Sequence, residues 1–94
     1  MSDKIEVWPG KVLTAARGLA DLTTRELSAL ASVSRDTLTR AETADVILIS
    51  PKQRHGCIAR PVWDRIVAAL ASAGVELGPE TETHGVGVRL ARPR

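Results

Sequence analysis

Arg35, Asp36, Thr39 and Arg40 place two guanidiniums, a carboxylate and a hydroxyl within one short stretch of this 94-residue chain. An arginine can pair bidentately with guanine, and an aspartate can accept from cytosine. Carried on the outer face of a helix in a major groove, this set would meet base edges. Arg17, Thr24, Thr37, Lys52 and Arg54 offer hydroxyls and cations suited to phosphate oxygens, contacts that position a protein on a duplex without reading it. The competing interpretation is a protein-interaction module whose polar helix face is merely solvated. Asp36 and Glu42 beside the arginines dilute the positive field and speak for it.

The residues around this set are those that two short helices and a tight turn require. Thr23 followed by Glu26 is a capping box, so a helix should open at Thr24. Leu27, Leu30 and Ala31 then recur at i, i+3 and i+4 and are expected to face inward, while Arg25, Glu26 and Ala29 fall on other faces. Val33 is placed to plug the turn. Ser34 is the next N-cap, and Leu38 and Ala41 form the inward stripe of a second helix whose outer positions are the four polar residues above. A helix-turn-helix over residues 24–42 follows, and it points to DNA.

Other chemistries find too few groups. His55 and Cys57 at i and i+2 resemble metal ligands, but a structural zinc site needs four and only His84 remains. A loop histidine beside a buried or idle thiol is the simpler interpretation. Cys57 also lacks a positioned base and orienting group for nucleophilic catalysis, so the chain is not read as an enzyme and no cofactor is expected. A redox role for Cys57 would show as a peroxide response that Cys57→Ser lacks. No phosphate-binding glycine pattern occurs. Trp8 and Trp63 each stand beside a proline-started helix among apolar neighbours, which favours core packing over base stacking.

The remaining sequence should build the scaffold. Residues 1–7 read as an arm, and Trp8-Pro9 is expected to open a helix, since proline suits the first helical position. Val12, Leu13, Ala16, Leu19 and Ala20 carry that helix's apolar face, leaving Lys11 or Arg17 towards a duplex backbone. The pattern breaks at 43–58: Val46–Ile49 is a β-prone run, and Ser50-Pro51 signals a turn into a basic loop. Lys52, Arg54, Arg60 and Arg65 stand there against Asp64 alone, a surplus of +3 that suits phosphates or simply a solvated loop. Pro61 starts a fourth helix over 61–73 along Trp63, Ile66, Val67 and Leu70, and Gly74 ends it. Val75-Glu76-Leu77 and Val86 to Leu90 alternate with period two, predicting a β-hairpin over 75–90. The tail Arg92-Pro93-Arg94 reads as a disordered, solubilising end, with contact to a phosphate or a minor groove as the alternative.

The stretch TRELSALASVSRDTLTRAE, with LTAARGLADL upstream and VWDRIVAALASAGVELGPE downstream, resembles the Cro/phage-repressor class of helix-turn-helix proteins, also called the XRE family. It is similar to short bacterial regulators of that class in which a fourth helix ends in AGVE and a GVRL segment follows, here Gly87 to Leu90. The likeness covers roughly residues 11–42 and 61–90. Two positions depart from the family pattern. Ser32 stands where the turn usually has glycine, and a positive φ there costs a non-glycine residue about 1 kcal/mol. Thr24 stands where glutamine often contacts a phosphate. The 43–58 insertion is also longer than the family's usual link.

Composition sets the outer limits. A chain of this length makes one small domain, 1–94, that buries about 60–65% of its unfolded surface and benefits from a partner subunit. A single cysteine excludes an intrachain disulfide and suits a reducing compartment. With neither a secretory core nor a long apolar run, the expectation is a cytoplasmic protein at the nucleoid with no membrane association. The absence of Phe and Tyr disfavours single-stranded nucleic acid, which is usually stacked on aromatic platforms. The net charge of +2 is too small to argue for nucleic acid by itself. The expectation is thus a mainly α, four-to-five-helix repressor-like domain with a small C-terminal β-hairpin. It would act as a homodimeric regulator, a repressor by preference, reading an inverted repeat in double-stranded DNA. With no room for a ligand-sensing domain, control would come from protein level, a partner or autoregulation. The alternative is an antitoxin or other interaction module that covers a small protein partner while holding operator DNA.

Overall fold

The computed structural model describes residues 5–78 and the backbone of 87–90. Its elements run β1 (Glu6–Pro9), α1 (Lys11–Ala20), α2 (Thr24–Ala31), α3 (Arg35–Thr43), β2 (Val46–Ser50), β3 (Ile58–Ala59), α4 (Arg60–Ser72), β4 (Val75–Gly78) and β5 (Gly87–Leu90). Helix predominates. One sheet has the order β1-β2-β3, with β1 antiparallel and β3 parallel to β2, and β4 and β5 pair as a separate antiparallel hairpin.

Local chemistry sets the helical pair as its sequence demands. The Thr23 hydroxyl accepts from the Glu26 N–H at 3.1 Å, and the Glu26 carboxylate accepts from the Thr23 N–H at 2.8 Å. The capping box therefore satisfies two amides at the start of α2. At its far end Ser32 takes the left-handed conformation, φ +56°, and the Val33 N–H donates to the Ser28 carbonyl at 3.0 Å. Ser34 then caps α3, its hydroxyl accepting from the Thr37 N–H at 3.1 Å. Gly74, at φ +89°, follows α4 where the chain must leave the helical turn.

Leu13, Leu27, Leu38, Ile66 and Leu70 are wholly shielded at the centre, joined by Trp63 and Ile49. Helix α1 packs on α3 and on both strands of the hairpin, and α2 packs on α3 and α4. Ala16, Ala20, Ala31 and Ala41 are buried in the same cluster. The hairpin thus has the helical core behind it, which a two-stranded ribbon needs to persist in water.

Three expectations are corrected. Trp8-Pro9 does not open a helix: Val7 and Trp8 lie in strand β1, paired with Leu48 and Ile47. The β-prone run Val46–Ile49 recruits this segment as an edge strand, where proline's missing N–H is tolerated, and the tertiary pairing overrides the local helix-start signal. Helix α1 begins instead at Lys11, after Gly10, whose N–H donates to the Asp45 carbonyl at 3.0 Å. Leu30 is not part of the inward stripe. It is 55% exposed, because the buried Leu27 and Ala31 lie only about 40° apart around the helix and Leu30 falls about 60° to one side of them. Helix α4 starts at Arg60 rather than Pro61, so the proline lies one position further inside the first turn.

Trp63 is buried, and the half-buried Trp8 lies against it, ring centroids 5.7 Å apart and planes tilted by 42°. The Trp8 indole N–H donates to Glu6, which also accepts from Arg60, so β1 is tied to the start of α4. The fourth helix, the β2 run and the hairpin strands fall within about two residues of their expected places. The hairpin loop 79–86 with His84, the first residues of the arm and the tail Arg92-Pro93-Arg94 lie outside the described residues. Among the described residues no helix is long and apolar enough to cross a membrane.

Candidate nucleic-acid interface

Leu38 and Ala41 turn the inner side of α3 into the core, which leaves Arg35, Asp36, Thr39 and Arg40 exposed on its outer side. The four predicted base-reading residues therefore do share one solvent face. Asp36 and Arg40, at i and i+4, form an ion pair of 2.7 Å, with side chains 74% and 78% exposed. A pair so open to water contributes little and parts readily, so both groups remain available to a ligand. On one flank of α3, Arg35, Asp36 and Thr39 line a hollow of about 510 Å³ together with Thr24, the first residue of α2. The predicted phosphate contact Thr24 is thus brought beside three of the base-reading candidates.

The other flank of α3 faces the β2–β3 loop. Thr37 and Arg40 on the helix and Gln53, Arg54 and His55 on the loop border a second cleft, also of about 510 Å³. Lys52 and Arg54 are exposed in this loop, as a phosphate-contacting role needs. Thr37 is half-buried and its hydroxyl lies 2.8 Å from that of Ser34, so it helps close the helix N-terminus as well as facing the cleft. The parts Gln53 and His55 play in this cleft were missed in the sequence, because nothing local reports that the loop folds back alongside α3.

Arg17 is placed otherwise than expected. Its guanidinium donates to Glu42 through Nε and Nη2, both at 3.1 Å, and through Nη1 to the Leu22 carbonyl at 3.1 Å. Thr14 donates to the same carboxylate at 2.9 Å. The Glu42 hydrogen bonds hold Arg17 more firmly protonated than a free arginine. With its charge neutralised and its donors engaged, Arg17 clamps α1 to the end of α3 rather than standing free for a phosphate. Glu42 accordingly does not dilute the field of the outer face, since its carboxylate points to Arg17. Arg65, exposed on α4, donates to the Ala31 carbonyl at 3.1 Å and closes the C-terminal end of α2. Arg35 and Arg40 on the helix and Lys52 and Arg54 in the adjoining loop are all exposed.

His55 is exposed and Cys57 half-buried. Among the described residues no three His, Cys, Asp or Glu side chains gather as a metal site would require. A row of hydrogen-bonding side chains on an exposed helix face, with hydroxyls and cations beside it, can bind a polyanion that carries a pattern of donors and acceptors. No protein-family model matches the chain, and no curated protein matches it.

Proposed function

We propose that the protein is a sequence-specific double-stranded DNA-binding regulator of transcription that acts as a homodimer on an inverted repeat. The observation that carries this is the exposure of Arg35, Asp36, Thr39 and Arg40 on one face of α3, in a capped helix-turn-helix flanked by Thr24 and by the cationic β2–β3 loop. Helix α3 enters the major groove, its arginines pairing with guanine and Asp36 accepting from cytosine, while Thr24, Lys52 and Arg54 fix the register on phosphates. The resemblance to the Cro/phage-repressor class supports the same docking. Two copies would hold half-sites about one helical turn apart, ~34 Å, and occupancy of a promoter excludes polymerase.

Selection from a random duplex library, followed by a salt series on the best sequence, tests this. An enriched inverted repeat whose affinity falls steeply with salt supports the reading, and absence of enrichment over non-specific binding refutes it. A second reading, an antitoxin-like module that also covers a small protein partner, is favoured by one observation. Val7 and Val46 are 55% and 50% exposed on the outer side of the β1–β2 pair, an apolar surface suited to another chain. Co-purification of a stoichiometric small protein, lost on Val7→Lys, would favour it.

A further inference from the structure

The β2–β3 connection has a shape that its sequence did not announce. The chain leaves β2 at Ser50 and returns beside it at Ile58, and the pairs Ile49 with Ile58 and Ser50 with Ala59 close both ends of the excursion. Pro51 to Gly56 all stand in solvent and include Lys52, Gln53, Arg54 and His55 but no carboxylate. Gly56, at φ +79°, and the Cys57 N–H, donating to the Arg54 carbonyl at 3.1 Å, shape the turn. The result is a short polar and cationic projection anchored at both ends, standing beside α3 across the cleft. Loops of this kind, compact and with their ends together, are frequent binding elements.

We propose that the cleft straddles one sugar-phosphate strand of the duplex, with α3 in the major groove on one side and the 51–57 loop in the adjacent minor groove on the other. This rests on the DNA-binding reading above and adds to it a second reading element. A strand between two grooves presents anionic phosphates and apolar sugar faces. The cleft meets the first with Thr37 and Arg54 on opposing walls and the second with Ala44 and Ile58. Beyond the strand, Gln53 and His55 have donors for the minor-groove acceptors, adenine N3 and thymine O2, which are alike for A·T and T·A. Guanine's amino group projects into that groove and opposes a donor. A narrow A·T groove also concentrates negative potential, which favours the approach of a loop that carries cations and no carboxylate. The loop therefore confers a preference for A·T over G·C, in either orientation, beside each half-site.

The test uses the selected operator with its flanking pairs changed from A·T to T·A, to G·C and to inosine·cytosine, the last having the major groove of G·C without the minor-groove amino group. Wild-type protein should bind the A·T, T·A and inosine·cytosine flanks within about twofold and the G·C flank about tenfold more weakly, a difference within the usual range for one base pair. The exposed double variant Gln53→Ala/His55→Ala, checked for unchanged thermal unfolding, should lose the flank discrimination and keep its choice of bases within the half-site. Equal binding of all flanks, inosine·cytosine behaving as G·C, or discrimination that survives in the double variant would each overturn the inference while leaving operator recognition standing. Selection of no operator at all would overturn the DNA-binding reading and this inference with it.

Discussion

The clamp between α1 and α3 makes Glu42 the residue whose removal should be felt most widely. Its carboxylate accepts from Thr14 and twice from Arg17, and the two charged side chains are only 9% and 24% exposed. Breaking a buried pair by deleting one partner costs about 3–5 kcal/mol, because the other charge is left uncompensated. Arg17 keeps the Leu22 carbonyl and part of its surface in water, which returns some of that. Glu42→Ala should therefore lose about 2–3 kcal/mol, a large share of the roughly 5–14 kcal/mol expected of a domain this size. In urea, with a slope of about 1.5 kcal/mol/M, the midpoint should fall by roughly 1–2 M. The double variant Arg17→Met/Glu42→Leu replaces the pair with apolar groups of similar size and should lie within about 1 kcal/mol of wild type. A loss below about 1 kcal/mol for Glu42→Ala, or a double variant as unstable as the single one, would refute the argument that an unpaired buried charge is the origin of the effect.

Other substitutions probe separate parts of the structure. A Cβ on Gly10 would lie 1.7 Å from the Ala44 carbonyl oxygen, a backbone atom with little freedom, so Gly10→Ala should cost about 3 kcal/mol or more and lower the thermal midpoint steeply. Ser32→Gly relieves the left-handed backbone at φ +56° and should raise stability by about 0.5 kcal/mol in calorimetry, after the entropy that glycine gains in the unfolded chain. The Arg60 guanidinium, and then the Trp8 indole N–H, hold the Glu6 carboxyl below its ordinary value. Its ionised form thus favours the folded state, a contribution complete above the ordinary carboxylate range and lost as pH falls through the depressed folded value. Wild-type stability should drop more steeply than that of Glu6→Gln on acidification below about pH 5, followed by Trp8 and Trp63 fluorescence. Arg35→Ala should weaken the selected operator by about 1–3 kcal/mol and relax one base pair, whereas Lys52→Ala should weaken all sequences alike and reduce the salt slope by about 1.

Sequence alone determined the parts of this protein whose causes are local. The Thr23–Glu26 box, the Ser34 cap and the glycine after α4 each arise from groups within a few residues of one another, so their outcome is written in their spacing, whereas the strain at Ser32 was implied by the resemblance alone. The outward face of Arg35, Asp36, Thr39 and Arg40 was legible for the same reason, because Leu38 and Ala41 leave α3 only one way to turn. Leu30 shows the limit of that logic: its spacing fits the stripe, but it lies at the edge of the face that Leu27 and Ala31 bury and is left 55% exposed. Only the tertiary structure decided the pairings between distant segments. Strand β1 forms where a proline-started helix was expected because β2, far along the chain, offers it a partner. Arg17 turns from a solvent-facing cation into one arm of a clamp because Glu42 lies 25 residues away in sequence and within hydrogen-bond reach in space. The 51–57 loop comes to stand beside α3 because β3 returns to the edge of β2. Backbone pairing and ion pairing of this kind carry no local period, and the partners are chosen by which surfaces the hydrophobic core brings together.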